Sequence, residues 1–211
     1  MFNYFGMIEG NYCRYIGFNK PLVVRFDGVN ITKNLNIDML DVSPGGFAYA
    51  LINTARIMSE KYRCFAIVES DEISLVFAEP SALKRKFSSN KVQKISSIFS
   101  QEIFEVFNTI YNGDTVYFDA KTFNIPFDKI ESYIKYRQLS AKCVCNTYLA
   151  KRYLAPKYYR RRTLTDIIKN LDEHCEKTHH YEYIMQGILY LNGKYITRES
   201  YFSNEYLTII D

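Results

Sequence analysis

Two acidic stretches carry most of the chemistry this sequence offers. Val23-Val24-Arg25-Phe26-Asp27-Gly28 ends an apolar run on a carboxylate, and Val68-Glu69-Ser70-Asp71-Glu72-Ile73 sets further carboxylates between two apolar runs. Strands lying side by side would bring Asp27 and Asp71 to one sheet edge, where unpaired carboxylates repel unless a cation sits between them. Mg²⁺ is the natural occupant, a hard ion that takes one or two carboxylates plus phosphate oxygens and water. Nucleotidyl transfer is the reaction such a pair would serve. Gly28, lacking a Cβ, lets the backbone approach a ligand closely and lend a carbonyl to the metal. The competing reading makes both aspartates turn residues, Asp-Gly being a common turn dipeptide.

The elements that must position these residues follow from hydrophobic patterning. Leu22 to Phe26 is apolar except for Arg25 and reads as a buried central strand. An arginine there needs an anionic partner, which is Asp119, another structural carboxylate or a substrate. Phe47, Leu51, Ala55, Met58 and Tyr62 recur at helical spacing. Cys64–Val68 and Ile73–Phe77 form a hairpin with the acidic segment at its turn. Ser81 is placed as the cap of a short helical start. A longer helix then carries Val92, Ile95, Phe99, Ile103, Val106 and Ile110 on one face. Lys91 and Lys94 lie near its N-terminal end, where the helix dipole favours a triphosphate.

After Asn112-Gly113-Asp114, the residues Val116, Phe118, Ala120, Phe123 and Ile125 mark a fourth strand ending at Pro126. Asp128 is placed as the cap of a helix reaching about Ala155, with Ile130, Tyr133, Ile134, Arg137, Ala141, Val144 and Tyr148 on one side. A short helix from Thr165 to Cys175 and a hairpin turning at Asn192-Gly193 complete the pattern. Residues 1–19 show no clear period. The order strand, helix, strand, strand, helix, strand predicts an α+β fold with a ferredoxin-like βαββαβ core, as in polymerase palms and nucleotide cyclases. Residues 1–126 are the palm-like core with its N-terminal segment. Residues 127–211 are a helical extension and hairpin packed on it as a single structural unit.

The 211 residues, 47% hydrophobic and 24% charged, suit an ordinary globular chain and argue against wholesale disorder. Net charge is only +4, but the cations cluster: Lys84-Arg85-Lys86 with Lys91 and Lys94, then Lys157-Tyr158-Tyr159-Arg160-Arg161-Arg162. Cations interleaved with tyrosine suit an RNA backbone and unstacked bases, the alternative being a solvated charged face. The 5 cysteines include no Cys-x-x-Cys pair and read as reduced thiols of a cytoplasmic protein. His174, His179 and His180 beside Cys175 lack the paired spacing of structural zinc sites. No apolar run is long enough to span a membrane and the start does not read as a secretory signal.

At Arg25-Phe26-Asp27-Gly28, Glu69-Ser70-Asp71-Glu72-Ile73-Ser74 and Phe118-Asp119-Ala120-Lys121-Thr122-Phe123-Asn124-Ile125-Pro126 the chain resembles the tRNA-histidine guanylyltransferase superfamily. The closer likeness is to its bacterial-type branch, the guanylyltransferase-like 3′-to-5′ RNA polymerases. Thr54-Ala55, Lys94-Ile95-Ser96-Ser97 and Tyr136-Arg137-Gln138 fall in family order. The resemblance implies a palm binding two Mg²⁺ ions through Asp27, the Gly28 carbonyl and Asp71, with Glu72 supporting the catalytic site. It implies ATP and GTP as substrates, held by Arg25, Ser70, Lys91, Lys94 and Ser97. A tRNA or tRNA-like RNA would lie against Arg137, Lys142, Asn146, Lys157, Arg160, Arg161 and Arg162. The reaction so implied activates an RNA 5′-monophosphate with ATP and adds a nucleotide to that end, repairing it against a template. The family also implies a dimer or tetramer.

The sequence departs from the family after Gln138, where Leu139-Ser140-Ala141-Lys142-Cys143-Val144-Cys145-Asn146 replaces the usual Arg-Asn or His-x-Asn-Asn element. Val29-Asn30-Ile31 likewise replaces a Phe-His pair. Addition of a single 5′ guanylate, a non-catalytic RNA- or partner-binding palm, and a cyclase-like enzyme acting on free nucleotides are the competing functions.

Overall fold

The computed structural model describes residues 2–10, 13–31, 37–174 and 187–196. Residues 2–10, aperiodic in sequence, form helix α1 (Phe2–Gly10). Strand β1 (Leu22–Gly28) leads to α2 (Phe47–Tyr62), then to the hairpin of β2 (Phe65–Glu69) and β3 (Glu72–Phe77). The short α3 (Leu83–Lys86), the long α4 (Val92–Ile110) and β4 (Phe118–Asn124) follow. Next come α5 (Ile130–Tyr153), α6 (Leu164–His174), and a second hairpin of β5 (Ile188–Leu191) and β6 (Lys194–Ile196). The strands make one antiparallel sheet in the order β4-β1-β3-β2-β5-β6.

Alternation along β1 divides its side chains between two cores. Leu22, Val24 and Phe26 face α2 and α4 with Ala66, Val68, Ile73, Leu75 and Phe77. Phe99 of α4 anchors that layer, with ring centroids 5.1 Å from Tyr62, 5.3 Å from Phe87, 5.7 Å from Phe77 and 6.4 Å from Phe26. On the opposite face Val23, Phe65, Ile67 and Val76 pack against Phe5 of α1 and Ile130, Tyr133 and Ile134 of α5. The second half of α5 leaves the sheet and packs Cys145, Leu149 and Ala150 against Ile167 and Leu171 of α6.

Several boundaries differ from the sequence expectation. Val116 is outside β4 because the Asn108 side chain holds both its N–H and its carbonyl, each at 2.9 Å. Ile125 leaves the ladder to donate to the Pro21 carbonyl. Ser81 caps nothing: it sits inside a 3₁₀ turn, Pro80–Ala82, ahead of α3. Asp128 similarly lies within the turn Phe127–Lys129, so α5 begins at Ile130 without a side-chain cap. On α5 the buried stripe passes through Ala141, Cys145 and Leu149, leaving Val144 39% exposed, because steps of four track one helix face better than a step of three here.

Candidate active site

The antiparallel pairing of β1 and β3 brings the two acidic stretches together. Asp27 stands opposite Glu72 in register, and the Gly28 N–H donates to the Asp71 carbonyl at 3.1 Å. The hairpin turns at Ser70, whose φ of 49° is left-handed. A Cβ on Gly28 would lie 2.5 Å from the Ile31 side chain and 3.4 Å from the Asp71 carbonyl oxygen. The glycine is needed for the loop after β1, where Ile31 folds back on it, while the distance to Asp71 is ordinary contact.

The electrostatics are those of an under-neutralised acidic site. Burial and then the neighbouring Glu72 push the Asp27 carboxyl up to about 6. Burial, and next the charge of Asp27, raise that of Asp71, which is 8% exposed. Both directions mean that the folded protein resists holding these carboxylates ionised without a cation. Oxygen donors on two carboxylates suit Mg²⁺, which leaves its remaining positions to phosphate and water. Among the described residues no group of three or more His, Cys, Asp or Glu is arranged for a metal. The candidate protein ligands are therefore this pair and the local backbone.

Glu72 belongs to a different arrangement. On the face of the sheet covered by α1 and α5, Arg137 pairs with both Glu69 and Glu72. Arg25 pairs with Glu9 of α1 and lies 3.6 Å from Glu72. The carboxylate partners of Arg25 are thus Glu9 and Glu72, and the cross-strand partner of Asp119 is Asp27. Burial raises Glu69 well above the usual range, Arg137 offsetting part of the rise. Burial also works against the charge of Arg137, yet Glu69 and Glu72 outweigh it and hold the guanidinium protonated. Three glutamates, Glu9, Glu69 and Glu72, thus face two guanidiniums, and burial weighs most heavily on Glu69.

Other expected site residues are separated by the fold. Ser70 is buried beside Asp71. Lys91, in a backbone bridge with Tyr15, lies at the other end of the sheet: Asn90 accepts from Ile16, and Gly17 donates to Asn124, the register partner of Leu22. From Leu22 to Asp27 the strand spans about 17 Å. Lys94 reaches Ser88, and Ser97 donates to the Gln93 carbonyl within its own helix. Lys91, Lys94 and Ser97 therefore do not join the Asp27–Asp71 pair. A cleft of ≈ 640 Å³, lined by Lys61, Tyr62, Arg63 and Lys86 among others, also opens at that far end.

Of the expected RNA contacts, Arg137 is 2% exposed and enclosed by carboxylates, so it is not a surface cation. Asn146 is also buried and donates to the Lys142 carbonyl at 2.7 Å. Lys142, Lys157, Arg160, Arg161 and Arg162 are exposed, and none forms a salt bridge with a described residue. The three arginines follow a 3₁₀ turn, Pro156–Tyr158, and Arg161 has a left-handed φ of 56°. Cys175, His179 and His180 lie outside the described residues. Glu9 was not singled out from the sequence; only an unpaired Arg25 in β1 signalled that some remote carboxylate had to meet it.

No protein-family model and no curated protein matches this sequence. Solved structures do. A bacterial tRNA(His) guanylyltransferase-like protein in complex with ATP has a TM-score of 0.72 at 18% identity, covering 99% of this chain and 97% of that one. A second such structure, in complex with GTP, has a TM-score of 0.63 at 19% identity over 90% of this chain and 83% of that one. The tRNA(His) guanylyltransferase of Saccharomyces cerevisiae has a TM-score of 0.64 at 19% identity, covering 92% and 95% respectively.

Proposed function

We propose that this chain, which shares the fold of the tRNA(His) guanylyltransferase superfamily, is a nucleotidyltransferase that extends the 5′ end of a tRNA or tRNA-like RNA. The observation that carries the reading is the convergence of Asp27 and Asp71 at one end of the sheet, with both carboxyls raised and no described guanidinium between them. The strand order and the two helices on one face fit a ferredoxin-like palm, the first four strands being its core.

Asp27 and Asp71 would hold two Mg²⁺ ions with the Gly28 carbonyl, and Glu72 would steady the pair from across the ladder. Bound there, Mg²⁺ neutralises triphosphate charge and lowers the pKa of an attacking hydroxyl. The nucleotide class follows from that donor set and from the ATP and GTP complexes of proteins with this fold. Buried Ser70 lines the protein side of the triphosphate site. Exposed Lys142, Lys157, Arg160, Arg161 and Arg162 neutralise RNA phosphates.

The proposed reaction joins the α-phosphate of ATP to the RNA 5′-monophosphate and releases pyrophosphate. The 3′-hydroxyl of an incoming nucleoside triphosphate then attacks the activated 5′ phosphate, and AMP leaves. An RNA carrying a 5′-triphosphate skips the first step and loses pyrophosphate in the second.

The test is incorporation of labelled nucleoside triphosphates onto a tRNA lacking its 5′ nucleotide, with 5′-mono- and 5′-triphosphorylated substrates and an Asp71→Ala control. Template-matched extension that vanishes in the control is expected. One untemplated guanylate would turn the reading to single-nucleotide addition, and no extension of either substrate would overturn it.

A further inference from the structure

The arginines beneath the acidic site form a closed circuit with two glutamates. Arg25 pairs with Glu9, whose other oxygen lies 3.7 Å from Arg137; Arg137 pairs with Glu72, and Glu72 returns to Arg25 at 3.6 Å. Four elements contribute one member each: β1, α1, α5 and β3. Glu69 joins through Arg137, and the Tyr133 hydroxyl donates to Glu9 at 3.1 Å. The side chains of Glu9 and Arg137 are 8% and 3% exposed, so neither is free to meet a nucleotide or RNA.

Such a circuit is a poor choice for stability alone. A buried ion pair roughly breaks even against well-packed apolar residues of the same volume, whereas removing one partner is severe. What the circuit does achieve is local to the candidate site. Glu72 stands opposite Asp27 across the β1–β3 ladder. Without its guanidinium partners, Glu72 would be a further free carboxylate beside Asp27, which already has Asp119 opposite it across the β1–β4 ladder. Drawn toward Arg25 and Arg137, it is held in one orientation.

We propose that Glu9 and Arg137 are positioning residues: their circuit fixes Glu72 against Asp27, and so leaves Asp27 and Asp71 as the pair presented to a divalent cation. Helix α1 thereby becomes part of the site it never touches, because its Glu9 is the one member that bridges both arginines from outside the sheet and α5. The inference rests on the reading of Asp27 and Asp71 as metal ligands.

The test measures Mn²⁺ binding, by the electron paramagnetic resonance of free Mn²⁺, in the full chain without nucleotide or RNA. Loss of a partner that orients a metal ligand commonly weakens metal binding ~10–100-fold. Glu9→Gln, which retains the shape and part of the hydrogen bonding, is expected to bind Mn²⁺ about tenfold more weakly, with its circular dichroism unchanged. Glu9→Asp, which restores the charge on a shorter arm, should recover part of that loss. Glu173→Gln on exposed α6 removes the same charge elsewhere and should change nothing.

Wild-type Mn²⁺ affinity in Glu9→Gln, accompanied only by a lower melting temperature, would show the circuit to be purely structural and overturn the proposal. Equal weakening in Glu173→Gln would overturn it too, since net charge alone would then explain the effect. Absence of Mn²⁺ binding by the wild type, or binding unaffected by Asp71→Ala, strikes instead at the metal-site reading on which the inference rests.

Discussion

Asp27→Asn should make the protein more stable at neutral pH while abolishing transfer. The folded chain raises Asp27 from 3.8 to about 6, chiefly by burial and then by the charge of Glu72. A displacement of that size corresponds to at most ~3 kcal/mol against the ionised folded state. Asp27 is more than one-third exposed, however, and solvent screening reduces this to about 1 kcal/mol. Between these two pKa values the folded state binds more protons than the unfolded one, so wild-type stability falls as pH rises from about 4 through 6. The asparagine variant lacks that contribution. Its advantage should be near zero at pH 4 and complete above pH 6.

Thermal melts of both proteins in EDTA at pH 4 and pH 7.5 measure the difference directly. For a chain of this length, about 1 kcal/mol is a rise of ~2–4 °C in Tm. Excess Mg²⁺ at pH 7.5 should narrow the gap by stabilising only the wild type. A variant no more stable than the wild type at pH 7.5, or equally advantaged at both pH values, would falsify the electrostatic description of the site.

Asp71→Ala should lose nucleotide incorporation without lowering the thermal melt, because the contact to Gly28 uses the Asp71 backbone and the carboxyl removed is one that burial disfavours in its ionised form; a collapsed melt would show a structural role instead. Divalent-cation affinity should rise as pH increases through about 6, following ionisation of Asp27, and a flat Mn²⁺ titration between pH 5 and 7.5 would contradict this. Changing Arg160, Arg161 and Arg162 together to glutamine should weaken RNA binding and lower the slope of log K against log salt by up to about 3 if all meet duplex phosphates. An unchanged slope would leave the patch as a solvated face. Phe99→Ala should cost ~3–5 kcal/mol in chemical denaturation, since its ring is fully buried among four aromatic neighbours, and a smaller loss would mean that the layer repacks.

The meeting of Asp27 with Asp71 was legible in the sequence because each lies where an apolar run stops, and an antiparallel neighbour places two such ends together. The helices α2 and α4 were legible from their spacing, and both hairpins from their turns. Lys91 and Lys94 lie away from the acidic tip for a geometric reason. Strand β3 runs away from its acidic tip, so the helix that follows it starts at the opposite end of the sheet. Arg137 was misread for another reason: Glu9, Glu69 and Glu72 are remote from it in sequence, and no local pattern distinguishes a buried arginine from a solvated one. Val144 was misplaced because the buried stripe of α5 continues in steps of four through Ala141, Cys145 and Leu149.

The pairing of β5 with β2 has a consequence for how the chain is made. Strand β2 is fully buried in the finished sheet, yet its outer ladder is completed by Ile188–Leu191, more than half the chain away. During synthesis β2 can pair with β3 almost at once, but its other edge must wait until nearly all the described sequence has emerged. Until then an apolar strand, Phe65-Ala66-Ile67-Val68, offers an open row of backbone donors and acceptors, the kind of edge that seeds association between chains. Late closure of this sheet would make the nascent protein depend on folding helpers and make its yield fall with temperature sooner than its finished stability does.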